Sequence, residues 1–420
     1  MSTNLRLAIV GCGGMGHRHL MGLVELQQQG LLTLDLVAAC DPVAENAESL
    51  TRLAKAELGA EPVPVPDLAS LAAHGVQAID ITSPPALHHH LIAEAAAMGI
   101  HVMTEKPVGL TVASSLEICE TARSHPDIVI SVAENYRRDP INRLARALLD
   151  AGAIGAPRLL QMNSVGGQNT MLITLWRHMR RLGGILVDMG VHYGDMLEYL
   201  LGPVVSMYGQ VRLHEKERVN LVGKAEGVLG NPGGFYAKWQ AAMPERFEPD
   251  AEDALYGLLN FESGAVAQYT EDHAGWGQPL WERTIFGSEG SMDLTEDRHG
   301  QPLTVHRTDG HEASGVVVLD LVPDFRLDPL TAQLFGGDRI WTYEMDFTFV
   351  DRKLLALEYA ELAHAVETGQ PVEVDAMQGT RALAVIYGLL ESAVKDRLVT
   401  MDEVLSGKVS EYQREINESL

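Results

Sequence analysis

Cysteine is almost missing from this chain: Cys12, Cys40 and Cys119 are the only three in 420 residues. An odd count this low describes no disulfide framework, and the spacings match no metal-ligand pattern. The fold needs neither kind of staple, and the cytoplasm is the expected compartment. Positive charge is the second shortage. Lys and Arg number 32 against 57 Asp and Glu, for a formal net charge of −25. A field of that sign repels phosphate backbones and anionic membrane faces, which argues against nucleic acid or a membrane as partner. Long apolar runs are missing too: none approaches the roughly eighteen residues of a spanning helix, and the stretch Leu5 to Val10 lacks a signal-peptide layout. That stretch reads as a strand. What remains is an ordinary globular composition, 46% hydrophobic and 21% charged, at a length that suits two domains.

Residues 1–136 alternate short β-rich runs with helical patterns, the rhythm of an α/β domain with a doubly wound parallel sheet. Expected strands are Leu5 to Gly11, Leu32 to Cys40, Ala78 to Thr82, His101 to Thr104 and Ile128 to Ala133, with a weaker one at Val63 to Val65. Their near-continuous apolar character suits burial on both faces. Leu20, Leu23 and Val24 stripe a helix that Gly30 stops, while Asp67 and Thr111 stand where N-caps would begin two more.

Residues 137–420 form the second expected domain. A helix over Asn142 to Gly152 is followed by longer alternating runs at Arg158 to Ser164, Val204 to Arg212, Leu255 to Phe261, Ala265 to Thr270 and Glu282 to Phe286. These predict antiparallel neighbours in a mixed sheet. Residues 215–253, rich in Gly, Pro and charge, read as an elaborated loop or insertion. Two late helices, one carrying Leu355, Tyr359, Leu362 and Val366 up to Gly369 and the other Leu383, Ile386, Leu390 and Val394, are free to pack back on the first domain.

Gly11-Cys12-Gly13-Gly14-Met15-Gly16 fits G-x-G-x-x-G directly between a strand and a helix. Gly11 permits the tight turn, Gly13 lets a pyrophosphate approach the backbone, and Gly16 allows close helix-to-strand packing, with the helix N-terminus facing the anion. Asp41 ends the second strand 25 residues after Gly16, where its carboxylate can accept hydrogen bonds from an adenosine ribose. The plainer reading of Asp41-Pro42 is a turn with a capping Asp, which leaves the order of strand, glycines and acid unexplained.

Glu105-Lys106-Pro107 follows the strand at His101, so Lys106 leaves the carboxyl end of a parallel strand, where such sheets bind ligands. Local spacing alone would make it a surface Lys beside a Glu. Farther on, Asp188, His192 and Asp195 are spaced four and three apart, which places all three on one helix face. A carboxylate beside an imidazole orients and tunes a general base. The same residues could be a cap and a core His, or a metal pair. No third ligand is evident, so no metal is expected.

With these residues in place the chain resembles the Gfo/Idh/MocA family, named for glucose-fructose oxidoreductase, inositol dehydrogenase and a rhizopine-catabolism protein. The glycine loop, Asp41, Glu105-Lys106-Pro107 and the run Gly183-Gly184 to Asp195 all match in order and spacing. The resemblance implies a Rossmann domain followed by a C-terminal α/β domain with a large open, mostly antiparallel sheet, which makes a homodimer or homotetramer interface. It implies NAD or NADP as cofactor, of which the Asp41 carboxylate at the ribose position favours NAD, and oxidation or reduction of a secondary carbinol of a sugar, cyclitol or similar small molecule. By resemblance Lys106, Asp188 and His192 are catalytic. Gly11, Gly13, Gly14, Met15, Gly16, Asp41, Ser83, Pro84, His88, Glu105 and Lys106 bind the cofactor, and Lys106, Asn135, Tyr136, Arg137, Trp176, Arg177, Asp188 and His192 bind the substrate.

Two features depart from the family pattern. Where the family often has Thr-Pro-Asn and then a His, this chain has Ser83-Pro84-Pro85 and then His88-His89-His90, of which His88 is the match and the other two are expected in solvent. The segment 215–253 also lengthens the chain. The cations Arg137, Arg138, Arg177, His178, Arg180 and Arg181 read first as solvated surface or an oligomer salt-bridge patch, and second as a pocket for hydroxyl or acidic groups. Two other functions stay open. One is an NAD-dependent glycosidase that oxidises transiently, eliminates and re-reduces, with Tyr136 or Tyr193 as the extra base. The other is a non-catalytic NAD-binding sensor.

Overall fold

Leu5–Val10 (β1) is apolar over its last four residues and buried there, as a central parallel strand must be. In the computed structural model, which describes residues 4–221 and 231–420, β1 lies at the middle of a six-stranded sheet. Leu34–Cys40 (β2), Val63–Val65 (β3), Ala78–Ile81 (β4), His101–Glu105 (β5) and Ile130–Ala133 (β6) complete it in the order β3-β2-β1-β4-β5-β6, every pair parallel. This is the doubly wound arrangement, whose order reverses beside β1 and β4. Helices Gly14–Gln28 (α1), Ala44–Glu57 (α2), His88–Ala97 (α3) and Val112–Ser124 (α4) make the crossovers. Thr111 caps α4 in a reciprocal box with Ser114. Where a full helix was expected after Asp67 there is a short 3-10 turn, Ala69–His74, whose N-cap position is Leu68; the Asp67 carboxylate accepts the Ser70 N–H at 2.9 Å.

The chain divides into two compact units. The first contains residues 1–135 together with Gly233–Tyr236 and Asp351–Thr380. The returning segment adds an edge to the sheet: Val132 N–H bonds to Val374 O at 2.9 Å, and Val374 and Ala376 join its core. The helix Phe347–Thr368 lies close against α1, where a Cβ on Gly22 would come within 2.8 Å of Leu355 Cβ.

The second unit holds residues 136–232, 237–350 and 381–420. Pro140–Asp150 (α5) opens it, and Gly184–Leu201 (α6) ends at Gly202 with φ +85. Its strands are Pro157–Gly167 (β7), Val204–Arg212 (β8), Arg218–Val219 (β9), Arg246–Phe247 (β10), Ala254–Phe261 (β11), Val266–Gly275 (β12), Leu280–Gly287 (β13), Gly290–Leu294 (β14), Thr304–Arg307 (β15), Glu312–Ser314 (β16) and Val399–Thr400 (β17). Nine of these form one sheet in the order β16-β15-β14-β13-β7-β12-β11-β8-β17, and β9 pairs with β10. Only β7 and β12 run parallel within the large sheet. The expected hairpin at Ser263-Gly264 joins β11 to β12, with Gly264 at φ +84. Glycines let α6 sit tightly: a Cβ on Gly190 would lie 2.9 Å from Glu271 Oε2, and one on Gly194 2.4 Å from Ala382 O. Within the expected insertion, 222–230 lie outside the described residues, and the remainder includes β9, β10 and the short helix Ala237–Ala241.

Candidate active site

In the first unit the glycine loop turns at Gly11, whose φ is +99 and whose Cβ, if present, would strike Ser83 N at 2.6 Å. Gly16 packs as closely, 2.4 Å from Gly11 O by the same measure. Gly13 is different: a Cβ there would meet nothing within 4 Å. The N-terminus of α1 behind it has no side-chain cap and no acid in its first turn, so its N–H groups are left to an anion. Asp41 is buried and makes the turn of its plainer reading. Its Oδ2 accepts the Cys12 N–H at 2.8 Å and its Oδ1 accepts the Val43 N–H at 2.8 Å, so one carboxylate fixes the loop and the turn. At the carboxyl ends of β4 and β6, the buried atoms Ser83 Oγ and Asn135 Oδ1 lack a protein partner. Open glycine, uncapped helix and orphaned polar atoms together fit a polyhydroxylated, anionic dinucleotide.

His88 is fully buried, with Nδ1 3.0 Å from Pro107 O and Nε2 2.9 Å from Ser83 O. Burial lowers its pKa against the pull of those carbonyls. It ties the Ser83 turn to the segment after Lys106. His89, expected in solvent, is buried, because its helix face turns inward; His90 is exposed and Pro84 also lies open.

A buried charge cluster of this unit escaped the sequence reading. His19, three residues beyond Gly16, has Nδ1 2.9 Å from Asp80 Oδ2 and Nε2 2.9 Å from Glu105 Oε1. Tyr359 Oη donates to the same Asp80 oxygen at 2.5 Å. Burial pushes the imidazole pKa down, but Asp80 and Glu105 outweigh it and raise it well above the ordinary 6.5. Burial likewise raises Glu105, and His19, Lys106 and Arg18 bring it below its usual range. Glu105, expected at the cofactor, therefore faces inward to His19, while Lys106 next to it is half-buried. His19→Gln should leave two buried carboxylates without their cation and cost about 3–5 kcal/mol near pH 6, read by denaturant unfolding. The folded-state pKa is the raised one, so this stabilisation is full below the unfolded value and is lost as pH rises from there through the folded value. The variant should lack that alkaline slope; equal stability of the two proteins near pH 6 would contradict the assignment.

In the second unit α6 carries Asp188, His192 and Asp195, all buried. Arg177 Nε donates to Asp188 Oδ2 at 2.7 Å, and its Nη1 donates to Thr174 Oγ1 at 2.6 Å while the guanidinium lies 4.4 Å from the Trp176 ring. Arg137 grips Asp195 with both guanidinium arms, Nε to Oδ2 at 2.8 Å. The Tyr136 ring stacks on His192 at 4.2 Å with planes 2° apart, and Arg298 covers Tyr136 at 4.8 Å. These contacts overturn the first reading of the cation cluster. Arg137, Arg138, Arg177 and His178 are buried, and the first and third neutralise acids inside the unit. Arg180 is half-buried against Tyr412, and only Arg181 is exposed. Burial, with Arg218, His273 and Arg177 adding to it, pushes His178 down to about 3, so its Nε2 is free to accept the Leu172 N–H at 2.9 Å.

Also unforeseen is a line of groups on β12. Tyr269 Oη donates to Glu271, whose other oxygen lies 2.7 Å from His273 Nε2, and the Tyr193 ring meets Tyr269 edge-on at 6.0 Å. Burial raises the Tyr193 phenol well above its ordinary range, so it keeps its proton. Among the described residues no group of three or more His, Cys, Asp or Glu is arranged to hold a metal, and no helix is long and apolar enough to cross a membrane.

Residues 5–133 match the NAD-binding Rossmann fold of the Gfo/Idh/MocA oxidoreductase family, and residues 146–401 match its C-terminal α/β domain. A scyllo-inositol 2-dehydrogenase (NAD(+)) of Bacillus subtilis is 26% identical over 328 residues, 78% of this chain and 82% of the relative. A levoglucosan dehydrogenase of Pseudarthrobacter phenanthrenivorans is 23% identical over 411 residues, 96% of this chain and 99% of the relative. The solved structure of a levoglucosan dehydrogenase in complex with NADH and L-sorbose shares the fold, with a TM-score of 0.75 at 21% identity over 96% of this chain and 100% of that one.

Proposed function

The chain belongs to the Gfo/Idh/MocA oxidoreductase family, and from that premise we propose that it is an NAD-dependent dehydrogenase of a secondary hydroxyl on a sugar, cyclitol or sugar derivative. The observation that carries the reading is on α6, where Asp188 and His192 are buried one turn apart and each is held by a neighbour, Arg177 and the Tyr136 ring. A general base has to be fixed in this way before it can act at a stated atom. The relatives named for inositol and levoglucosan support the substrate class.

Bound NAD supplies the acceptor for the hydride that leaves the carbinol carbon. Gly13 and the α1 N-terminus hold its diphosphate, and Asp41 holds a ribose. His192 takes the hydroxyl proton. Lys106, a cation beside the reacting oxygen, stabilises the developing alkoxide, and Asp188 orients the site and passes the proton on. Arg137 and Arg177 act through the carboxylates they neutralise, while Asn135, Tyr136 and Trp176 meet the substrate. The exposed apolar residues Val205, Tyr208, Tyr256, Leu258 and Phe286 of the large sheet suit pairing with a second copy of the chain.

Screening polyols, aldoses, uronic acids and glycosides with NAD, by absorbance and product mass, should yield at least one substrate that accumulates NADH together with a ketone product. Release of a leaving group without net NADH would favour the glycosidase instead. Binding of NAD without any turnover would favour the sensor. Burial raises the Tyr193 phenol, which leaves Tyr136 as the extra base that the glycosidase would need.

A further inference from the structure

The pattern G-x-G-x-x-G leaves its fourth position unspecified, yet this chain has Gly14 there. The reason lies far along the chain. A Cβ on Gly14 would come within 2.6 Å of Tyr236 Cε1 and 2.7 Å of Cδ1, so the ring rests directly on the first residue of α1. Gly13, one residue earlier, is open by the same measure. Adjacent glycines of one loop therefore face different surroundings, one accessible and one covered by an aromatic ring.

The cover is anchored at several points. Tyr236 is 6% exposed, and its Oη lies 3.5 Å from Met15 Sδ. The Phe235 ring is 5.8 Å from the ring of His17, whose Nδ1 is 2.8 Å from Gly13 O and whose Nε2 is 3.1 Å from Ser49 Oγ on α2. Gly233 and Gly234 take φ values of +67 and +78, which only glycine adopts without strain, and this turn delivers the two rings. Gly233–Tyr236 clusters with the dinucleotide-binding unit and not with the residues on either side of it in the chain.

We infer that Phe235 and Tyr236 form a wall of the diphosphate site, and that the Tyr236 ring sets the rate at which a bound dinucleotide leaves. The inference rests on the reading of this unit as the NAD site. The N–H groups of Gly14 and Met15 belong to the uncapped first turn of α1, the donors that a diphosphate uses. An aromatic ring on Gly14 keeps water from that flank and strengthens the bonds the anion makes there. The effect belongs to the ring and not to the phenol hydroxyl. Gly14 and Tyr236 thus form a matched pair, in which neither can change without the other noticing.

The test is the release of NADH, followed by its fluorescence after mixing the complex with excess NAD. Tyr236→Ala should release NADH roughly tenfold faster or more, since changes within one binding site fall mainly on dissociation. Tyr236→Phe, which keeps the ring and loses only the Oη contact with Met15, should stay far closer to the wild type than Tyr236→Ala. Gly14→Ala should speed release in the wild-type background and add little in Tyr236→Ala, the non-additivity of residues in contact. If the alanine variant fails to fold, Tyr236→Leu gives the same reading with a smaller change. A Tyr236→Ala or Tyr236→Leu protein that releases NADH at the wild-type rate would overturn the inference alone. A wild type that binds no NADH would overturn the reading beneath it as well.

Discussion

Lys106→Ala and His192→Ala should each cut kcat by about 10² to 10⁴, the usual loss of a positioned acid, base or charge stabiliser, while NADH affinity stays near that of the wild type. Lys106 directly follows β5, at the carboxyl end of the parallel sheet, where under the proposed function its charge would stabilise a developing alkoxide. His192 is held flat against Tyr136, which fixes the imidazole for one proton acceptor position. Because His192 is buried, its alanine variant needs a thermal-unfolding control, so that lost turnover is not mistaken for lost structure. A double variant should fall little below the worse single one, as residues serving one step are not additive. Wild-type turnover in either single variant would remove that residue from the chemistry.

Asp41→Asn should collapse a large preference for NAD over NADP. A carboxylate about 4 Å from a 2′-phosphate meets a repulsion on the order of 4 kcal/mol per unit charge at an effective dielectric near 20, roughly a thousandfold in affinity. No Lys or Arg lies between Asp41 and Thr51 to offset it, and the next cation, Arg52, is exposed with Glu48 3.8 Å away. Asp41 also accepts the Cys12 and Val43 N–H groups, so a large truncation would disturb the loop together with the charge. Asparagine removes the charge and keeps one acceptor oxygen, so it can hold one of the two N–H groups and not both, and a thermal-unfolding control reads the loop's share of the effect. The ratio of kcat/KM for NAD to that for NADP should fall by about two to three orders of magnitude in the variant. A wild type that uses both cofactors equally, or a ratio that does not move, would leave Asp41 as the loop clamp alone.

The parallel strands were legible because burial on both faces leaves an almost unbroken apolar run, as in residues 7–10 of β1, all apolar and all buried. Asp188 and His192 were legible because helical periodicity is local. The cations of the second unit were not. Arg137 finds its acid 58 positions away and Arg177 finds its own 11 away, and composition alone cannot distinguish an ion pair folded inward from a solvated face. His19 was missed for the same reason: its two acids lie 61 and 86 positions along the chain and come together only when β4 and β5 are placed beside α1. Gly14 did carry a signal, a glycine beyond what the loop pattern requires, but the ring that demands it stands 222 positions later (236 − 14) in a segment that reads as loop.

Under the proposed function this protein removes a hydride from a carbinol carbon. The most direct test uses a cyclitol or sugar deuterated at those carbons, incubated with the protein and NAD, with mass spectrometry of the nicotinamide product. The expected result is reduced cofactor carrying one deuterium for each ketone formed, at a rate slower than with the unlabelled compound. Reduced cofactor without deuterium, or a consumed substrate with no reduced cofactor at all, would contradict it.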